Sequence, residues 1–327
     1  MELGILKNIS DSGEKGQSLI ETAKAAEISI YAAEVLTSIA LSMNILKLSS
    51  TEEDRFVLGK IGWFLLEDEM TRVNLNFVND VCYKGAFELV SSLKTGKPLG
   101  LEVFGTGGKT IYEALSSLPE KVKKSWFDFD HFYSDIGFEE ALPIVFSHKP
   151  KKIIDIGGNT AKWAIACCNY DPSVELLIVD LPGQTAVAEQ NAASSGFSGR
   201  IKTQPCNVLD EKSVFPSGAD IIWMSQFLDC FSLAEVKRIM EKVKTAAGTK
   251  ANVYVLEPFW DKQRFEAATF SLQATSLYFS CMANGNSKMY RYGELAAAIE
   301  SAGFEIAAAH HNLGSNDYSL LHCRGKP

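Results

Sequence analysis

A chain of 327 residues, 46% hydrophobic and 22% charged, has an ordinary globular composition and enough length for one large core plus a second domain. Its net charge of −8 argues against nucleic acid as the main partner, and no apolar run approaches the roughly 18 residues that a membrane span needs. The seven scattered cysteines form no C-x-x-C pair, and the start Met1-Glu-Leu-Gly-Ile-Leu-Lys7 lacks the marks of an export signal, so reduced thiols, no metal site and a cytoplasmic setting are expected.

The first part of the chain reads as helical. Ser18-Leu-Ile-Glu21 has the capping-box pattern for a helix over 19–26, and Ser29 caps a second over 30–43. Two short extended runs follow, Ile45-Leu-Lys-Leu48 and Arg55-Phe-Val-Leu58, joined by the acidic turn Thr51-Glu-Glu-Asp54. After two helices, such a pair predicts a wing following a helix-turn-helix. A winged domain raises the question of DNA binding, and charge answers it. Residues 1–150 hold roughly 15 basic against 22 acidic side chains, and residues 29–41, where a recognition helix would lie, carry no Arg or Lys. A helical packing and dimerisation role is expected instead.

A helix-rich stretch then runs from Ile61 to about residue 146, broken at Lys94-Thr-Gly-Lys-Pro98 and Gly105-Thr-Gly-Gly108. From Lys149-Pro150 onward the pattern alternates. Strands are predicted at 153–156, 175–179, 201–204, 220–223, 253–257 and 318–322, with helices at 162–169, 184–194, 233–247 and 292–302. This alternation predicts an α/β fold built on a mostly parallel sheet covered on both faces.

The stretch Lys152-Ile-Ile-Asp155-Ile-Gly157-Gly158-Asn159 and the later Leu177-Ile-Val179-Asp180-Leu181-Pro182 predict a strand, a glycine turn, a helix and a second strand closing on an acid. Such a unit presents backbone N–H groups and a helix N-terminus to a ligand, with the acid placed to accept bonds from ribose hydroxyls. The third glycine of G-x-G-x-x-G is missing, so a dinucleotide's pyrophosphate would be poorly cradled and an oxidoreductase is disfavoured. Asn207, after the next strand, has the groups to meet an adenine edge, and an ordinary turn asparagine has the same ones.

Asp155-Ile-Gly-Gly, Val179-Asp-Leu-Pro182, Cys206-Asn-Val-Leu, Trp223-Met-Ser-Gln-Phe-Leu-Asp229, Leu256-Glu257-Pro258 and Ser301-Ala-Gly-Phe304 fall in order along the chain. As a set they resemble the S-adenosylmethionine-dependent O-methyltransferases of the plant caffeate and bacterial polyketide type. The resemblance implies an all-helical winged-helix dimerisation domain over 1–100 and a Rossmann-like catalytic domain over 101–327, with a helical lead-in to 150. It also implies a homodimer, S-adenosylmethionine as cofactor, and a small acceptor. Gly157 would face the methionine part of the cofactor, Asp180 with Leu181 the ribose, and Asn207 with Val208 the adenine. Met224, Ser225 and Gln226 would close over the cofactor, and Tyr133 would contact its carboxylate. Packing of the aromatic run Phe129-Asp-His-Phe-Tyr133 against the core is the competing role for Tyr133.

In that family a histidine after the fourth strand is the general base, bracketed by two glutamates. Here the segment reads Phe227-Leu228-Asp229-Cys230-Phe231, which places Leu228 at the histidine position; Glu257 matches one glutamate and the other is absent. None of the five histidines is an obvious replacement, with His131 the nearest candidate. Glu257 is left as the candidate base or substrate anchor. Methyl transfer survives such a loss where proximity supplies most of the rate, particularly for acidic phenols, amines or thiols. A catalytically lapsed cofactor-binding or regulatory protein is the alternative. Phe227, Phe259, Trp260, Tyr278, Phe279 and Met282 are the expected apolar walls around a flat aromatic acceptor.

Overall fold

The computed structural model describes residues 1–326 and divides into two compact units, Met1–Val78 and Asn79–Pro327. Residues 79–100, expected with the first domain, therefore lie in the second. The reason is close packing: a side chain on Gly100 would sit 2.7 Å from Met282 Sδ, and one on Gly85 only 2.2 Å from the same sulfur.

The first unit holds helices α1 (Ile5–Asp11), α2 (Leu19–Ala25), α3 (Ile30–Ser42), α4 (Lys60–Glu67) and α5 (Glu69–Asn76). Ser18 and Glu21 form the capping box that starts α2, and Ser29 caps α3 through the Ala32 amide. The chain turns through 110° between α2 and α3. The unit is not all-helical. Strands β1 (Gln17–Ser18), β2 (Leu46–Leu48) and β3 (Arg55–Leu58) pair antiparallel in the order β1-β3-β2.

The second unit begins with α6 (Leu89–Thr95), α7 (Ile111–Ala114), α8 (Glu120–Ser134) and α9 (Phe138–Phe146). Then β4 (Lys152–Ile156), β5 (Glu175–Asp180), β6 (Ile201–Pro205), β7 (Ile221–Ser225), β8 (Asn252–Pro258), β9 (Phe304–Leu313) and β10 (Tyr318–Gly325) form one sheet, ordered β6-β5-β4-β7-β8-β10-β9. Five strands run parallel and β10 runs antiparallel to both β8 and β9. The helices between are α10 (Lys162–Tyr170), α11 (Pro182–Ser194), α12 (Leu233–Ala247), α13 (Glu266–Tyr278) and α14 (Tyr292–Ser301).

Continuous apolar runs such as Ile221-Ile-Trp-Met224 suit strands buried on both faces. One side of the sheet packs on α12 and α14 through Ile154, Met224, Val236, Ile239 and Ile299. The other packs on α9 and α10, where Trp163 and Trp223 stack at 3.8 Å and 10°. The order reverses between β4 and β7, and the crevice beyond their C-terminal ends is where open α/β sheets take ligands. Trp223 is fully buried, so Trp223→Ala is expected to cost about 3–5 kcal/mol, read as a lowered urea midpoint for the sheet unit.

Candidate active site

Beyond β4 the backbone bends sharply. Gly157 adopts φ +78, and a side chain there would meet the Phe227 ring at 2.2 Å. A side chain on Gly158 would lie 2.6 Å from Asp155 Oδ2, so both positions require glycine. Asn159 (φ 46), Ala161 (φ 69) and Gln226 (φ 45) are also left-handed, at a cost of roughly 1–3 kcal/mol each. All three follow β4 or β7, at the reversal point. The surrounding structure holds this turn in a shape the residues would not choose alone.

Asp180, closing β5, ties the turn together. One of its oxygens accepts the Asn159 amide at 2.9 Å and the other the Leu181 amide at 2.7 Å. A carboxylate has about four acceptor sites, so hydroxyls have room beside these amides. The Asn159 side-chain amide donates to Asp130 at 3.0 Å, and Thr160 Oγ1 lies 3.1 Å from His131 Nε2. These bonds fasten α8 to the glycine turn. Tyr133, further along α8, packs its ring against Phe129 and Phe132 at 5.0 and 5.1 Å.

Six of the nine buried side-chain polar atoms without a hydrogen-bond partner, among the described residues, belong to this crevice: His131 Nδ1, Asp155 Oδ2, Asn159 Oδ1, Ser225 Oγ, Gln226 Nε2 and Glu257 Oε2. Buried polar atoms are costly when left unpaired, and their concentration at one place marks a binding site. Ser225 and Gln226 are thus brought to the site, whereas Met224 is packed in the core. Asn207 is exposed and its carbonyl accepts the Leu209 amide at 3.0 Å, a turn bond that leaves its NH2 group for a ligand; Val208 is buried in the core behind it.

The crevice is strongly acidic. Burial pushes Asp155 up to about 8, with Asp180 adding to the effect. Burial, then the charges of Asp135, Asp229 and Asp180, lifts Asp130 to about 7. Asp180 and Asp229 each rise to about 6 through burial. Burial also lowers the value of His131, keeping its imidazole neutral. Such a field favours a cationic ligand.

After β7, Leu228 turns fully into the core beside Val236 and Phe259 and offers no chemistry. Glu257 Oε1 accepts the amides of Phe227 at 2.9 Å and Leu228 at 2.7 Å. Burial and then Asp229 hold its carboxyl well above the usual range. Asp229 is therefore the residue that joins Glu257 at the site, and its sequence signal was only an acid closely following a buried strand. Of the six expected wall residues, Phe227 closes over Gly157, and Tyr278 accepts the Trp126 indole N–H at 2.7 Å. Phe259 packs in the core, Met282 fills space against Gly85 and Gly100, and Trp260 carries the Arg291 guanidinium over its ring. Among the histidines, His148 and His322 gather around Tyr254, and His311 bonds Ser319 at 2.8 Å.

The acidity has a stability consequence. Between an ordinary value of 3.8 and about 8, the folded chain keeps an Asp155 proton that the unfolded chain has released. The folded state thus holds more protons there, and stability falls by about 1.4 kcal/mol per pH unit per extra proton as pH rises. Melting followed by circular dichroism should show the ligand-free midpoint falling from pH 6 to 8, with a shallower fall in Asp155→Asn.

Comparison with known proteins agrees with this fold. Residues 89–305 match the model of the O-methyltransferase domain. The L-tyrosine C(3)-methyltransferase of Streptomyces lavendulae is 22% identical over 258 residues, covering 78% of this chain and 69% of that protein. The demethylspheroidene O-methyltransferase of Cereibacter sphaeroides is 26% identical over 202 residues, covering 62% of this chain and 50% of that protein. An O-methyltransferase from neocarzinostatin biosynthesis, solved with S-adenosylmethionine and 2-hydroxy-5-methyl naphthoic acid, superposes with a TM-score of 0.70 at 20% identity, over 99% of this chain and 93% of that one. With residues 89–305 matched to that model, the chain belongs to the S-adenosylmethionine-dependent O-methyltransferase family.

Proposed function

We propose that this protein transfers the methyl group of S-adenosylmethionine to an oxygen of a small aromatic acceptor. The observation that carries the reading is the set of unpartnered buried polar atoms in an acidic crevice at the β4/β7 reversal. S-adenosylmethionine fits that set: it brings sulfonium and ammonium charges, ribose hydroxyls and a donor-bearing adenine to a site rich in unpaired acceptors.

In this reading Gly157 lets the cofactor approach the backbone, Asp180 accepts the ribose hydroxyls, and Leu181 holds the strand exit. Asn207 and Val208 border the adenine, Ser225 and Gln226 supply hydrogen bonds, and Tyr133 covers the site from α8. The bound sulfonium supplies an activated methyl group, and alignment of the two partners contributes roughly 7–11 kcal/mol of barrier reduction. Glu257, protonated and fixed by two backbone amides, is a hydrogen-bond donor to the acceptor. The proposed catalytic domain includes the helical lead-in to residue 150, and the protein works in the cytoplasm without membrane or nucleic acid.

The first unit is proposed as a winged-helix dimerisation domain. Helix α3 has no Lys or Arg and leaves Tyr31, Val35 and Ile39 exposed, with Met43 exposed just beyond it, a face suited to a second copy of the chain rather than to phosphates.

Two measurements test these assignments. Isothermal titration should show S-adenosylmethionine binding to the wild type, with Asp180→Ala binding roughly 10–100-fold more weakly from the loss of hydrogen bonds to a charged group. No binding by the wild type overturns the proposal, and binding without turnover of any acceptor favours a lapsed, regulatory protein. Light scattering at micromolar concentration should give a dimer for the wild type and a monomer for Ile39→Glu; a monomeric wild type overturns the dimerisation role.

A further inference from the structure

The family's histidine has no counterpart beside Glu257, and three groups compete to take the acceptor's proton. His131 is committed to Thr160 at the glycine turn, on α8 rather than on the β7 exit. Glu257 already carries its own proton, because it is 1% exposed and lies against the charge of Asp229. A protonated carboxyl can donate a hydrogen bond but cannot accept the acceptor's proton.

Asp229 differs from both. The Phe227 and Leu228 amides that grip Glu257 Oε1 belong to the segment that carries Asp229, so one short loop brings the charge of Asp229 to bear on Glu257. The Cys230 thiol donates to Asp229 Oδ1 at 3.4 Å, and the Cys230 carbonyl is itself held by the Asn284 side-chain amide. Glu257 is nine-tenths buried and more, and its Oε2 is unpartnered. The groups that feel the charge of Asp229 come from several elements: Glu257 on β8, Asp130 on α8, Tyr112 on α7, Tyr290 just before α14, Tyr318 on β10 and Cys230 beside it. All are acidic or neutral. Two adjacent carboxyls in such surroundings share one negative charge, and the less buried member holds it.

We infer that Asp229 is the general base of this enzyme, with Glu257 as its proton-bearing positioning partner; the inference rests on the methyl-transfer reading above. Asp229 takes the proton from the acceptor hydroxyl as the oxygen's lone pair bonds to the methyl carbon. The carbon–sulfur bond breaks, its electron pair stays on sulfur, and the neutral thioether product leaves. Asp229 is then a carboxylic acid and returns its proton to water after release. Asp229 titrates to about 6, so it is ionised at neutral pH and ready for this role.

The test uses the full chain with S-adenosylmethionine and a panel of phenols, naphthols and nitrophenols of graded acidity, followed as thioether product against pH. Calorimetry with S-adenosylmethionine alone should give Asp229→Asn an affinity within about threefold of wild type, which separates this inference from the cofactor reading. Asp229→Asn should lose roughly 10²–10⁴-fold in kcat/KM on weakly acidic phenols, and the acidic limb of the pH profile should vanish. It should lose little on nitrophenols that are already ionised, and Asp229→Glu should recover part of the loss. Glu257→Gln should keep the limb but displace it. Infrared difference spectra across pH 5 to 8 supply a readout without any acceptor: the wild type should show a carboxyl deprotonating near pH 6 that Asp229→Asn lacks. An equal loss on all phenols, a limb that survives Asp229→Asn, a limb that disappears in His131→Ala, or an unchanged infrared spectrum in Asp229→Asn overturns the inference. Failure of the wild type to turn over any acceptor overturns it together with the transferase reading.

Discussion

The reversal of strand order between β4 and β7 is the constraint on which the rest of the structure depends. On one side of it the chain winds outward through β5 to β6, and on the other through β8 toward the antiparallel pair β10 and β9. The connections leaving β4 and β7 therefore diverge, which leaves a crevice beyond their ends. Beside this opening, the Asp180 carboxylate ties the turn after β4 to the exit of β5 by holding the amides of Asn159 and Leu181 at once. The left-handed backbone of Asn159, Ala161 and Gln226 is the strain that such an opening imposes, and the large cores on both sheet faces hold it in place.

Electrostatics follow from the same opening. Asp155, Asp180, Asp229 and Glu257 lie at or just beyond the ends of β4, β5, β7 and β8 at one edge of the sheet, and Asp130 joins them from α8. Each is disfavoured as an anion by burial, and several are disfavoured further by one another. A cationic cofactor relieves that conflict, so binding and proton release are thermodynamically linked.

Much of this was legible in the residues. The runs Lys152–Ile156 and Glu175–Asp180 are apolar, end in Gly-Gly and Asp-Leu-Pro, and declare both strands and the turn between them. The Ser18 capping box and the wing-like runs around Leu46–Leu48 and Arg55–Leu58 were equally plain, because caps and turns are local. What local pattern could not reveal was direction. Whether Leu228 or Asp229 faces the crevice depends on a single turn of chain after β7, set by the distant Glu257 through two backbone amides. The apolar walls were obscured for a related reason: Phe259 and Met282 are the same residue types that fill a core, and they do fill it. β9, where His310 and His311 were expected near the end of a strand, had the weakest pattern, because its Ala-rich run alternates half-buried and exposed positions.

The contact between Gly157 and Phe227 has a consequence for how such sequences can change. The ring occupies the volume that any side chain at position 157 would need, 2.2 Å from the place of its first carbon. The two positions are 70 residues apart in the chain yet share one volume, so position 157 cannot drift alone. A descendant with alanine at 157 is viable only in a lineage where 227 has already shrunk, and the order of those two steps is fixed. The glycine turn is thus preserved in this chain by a neighbour's bulk as well as by backbone conformation.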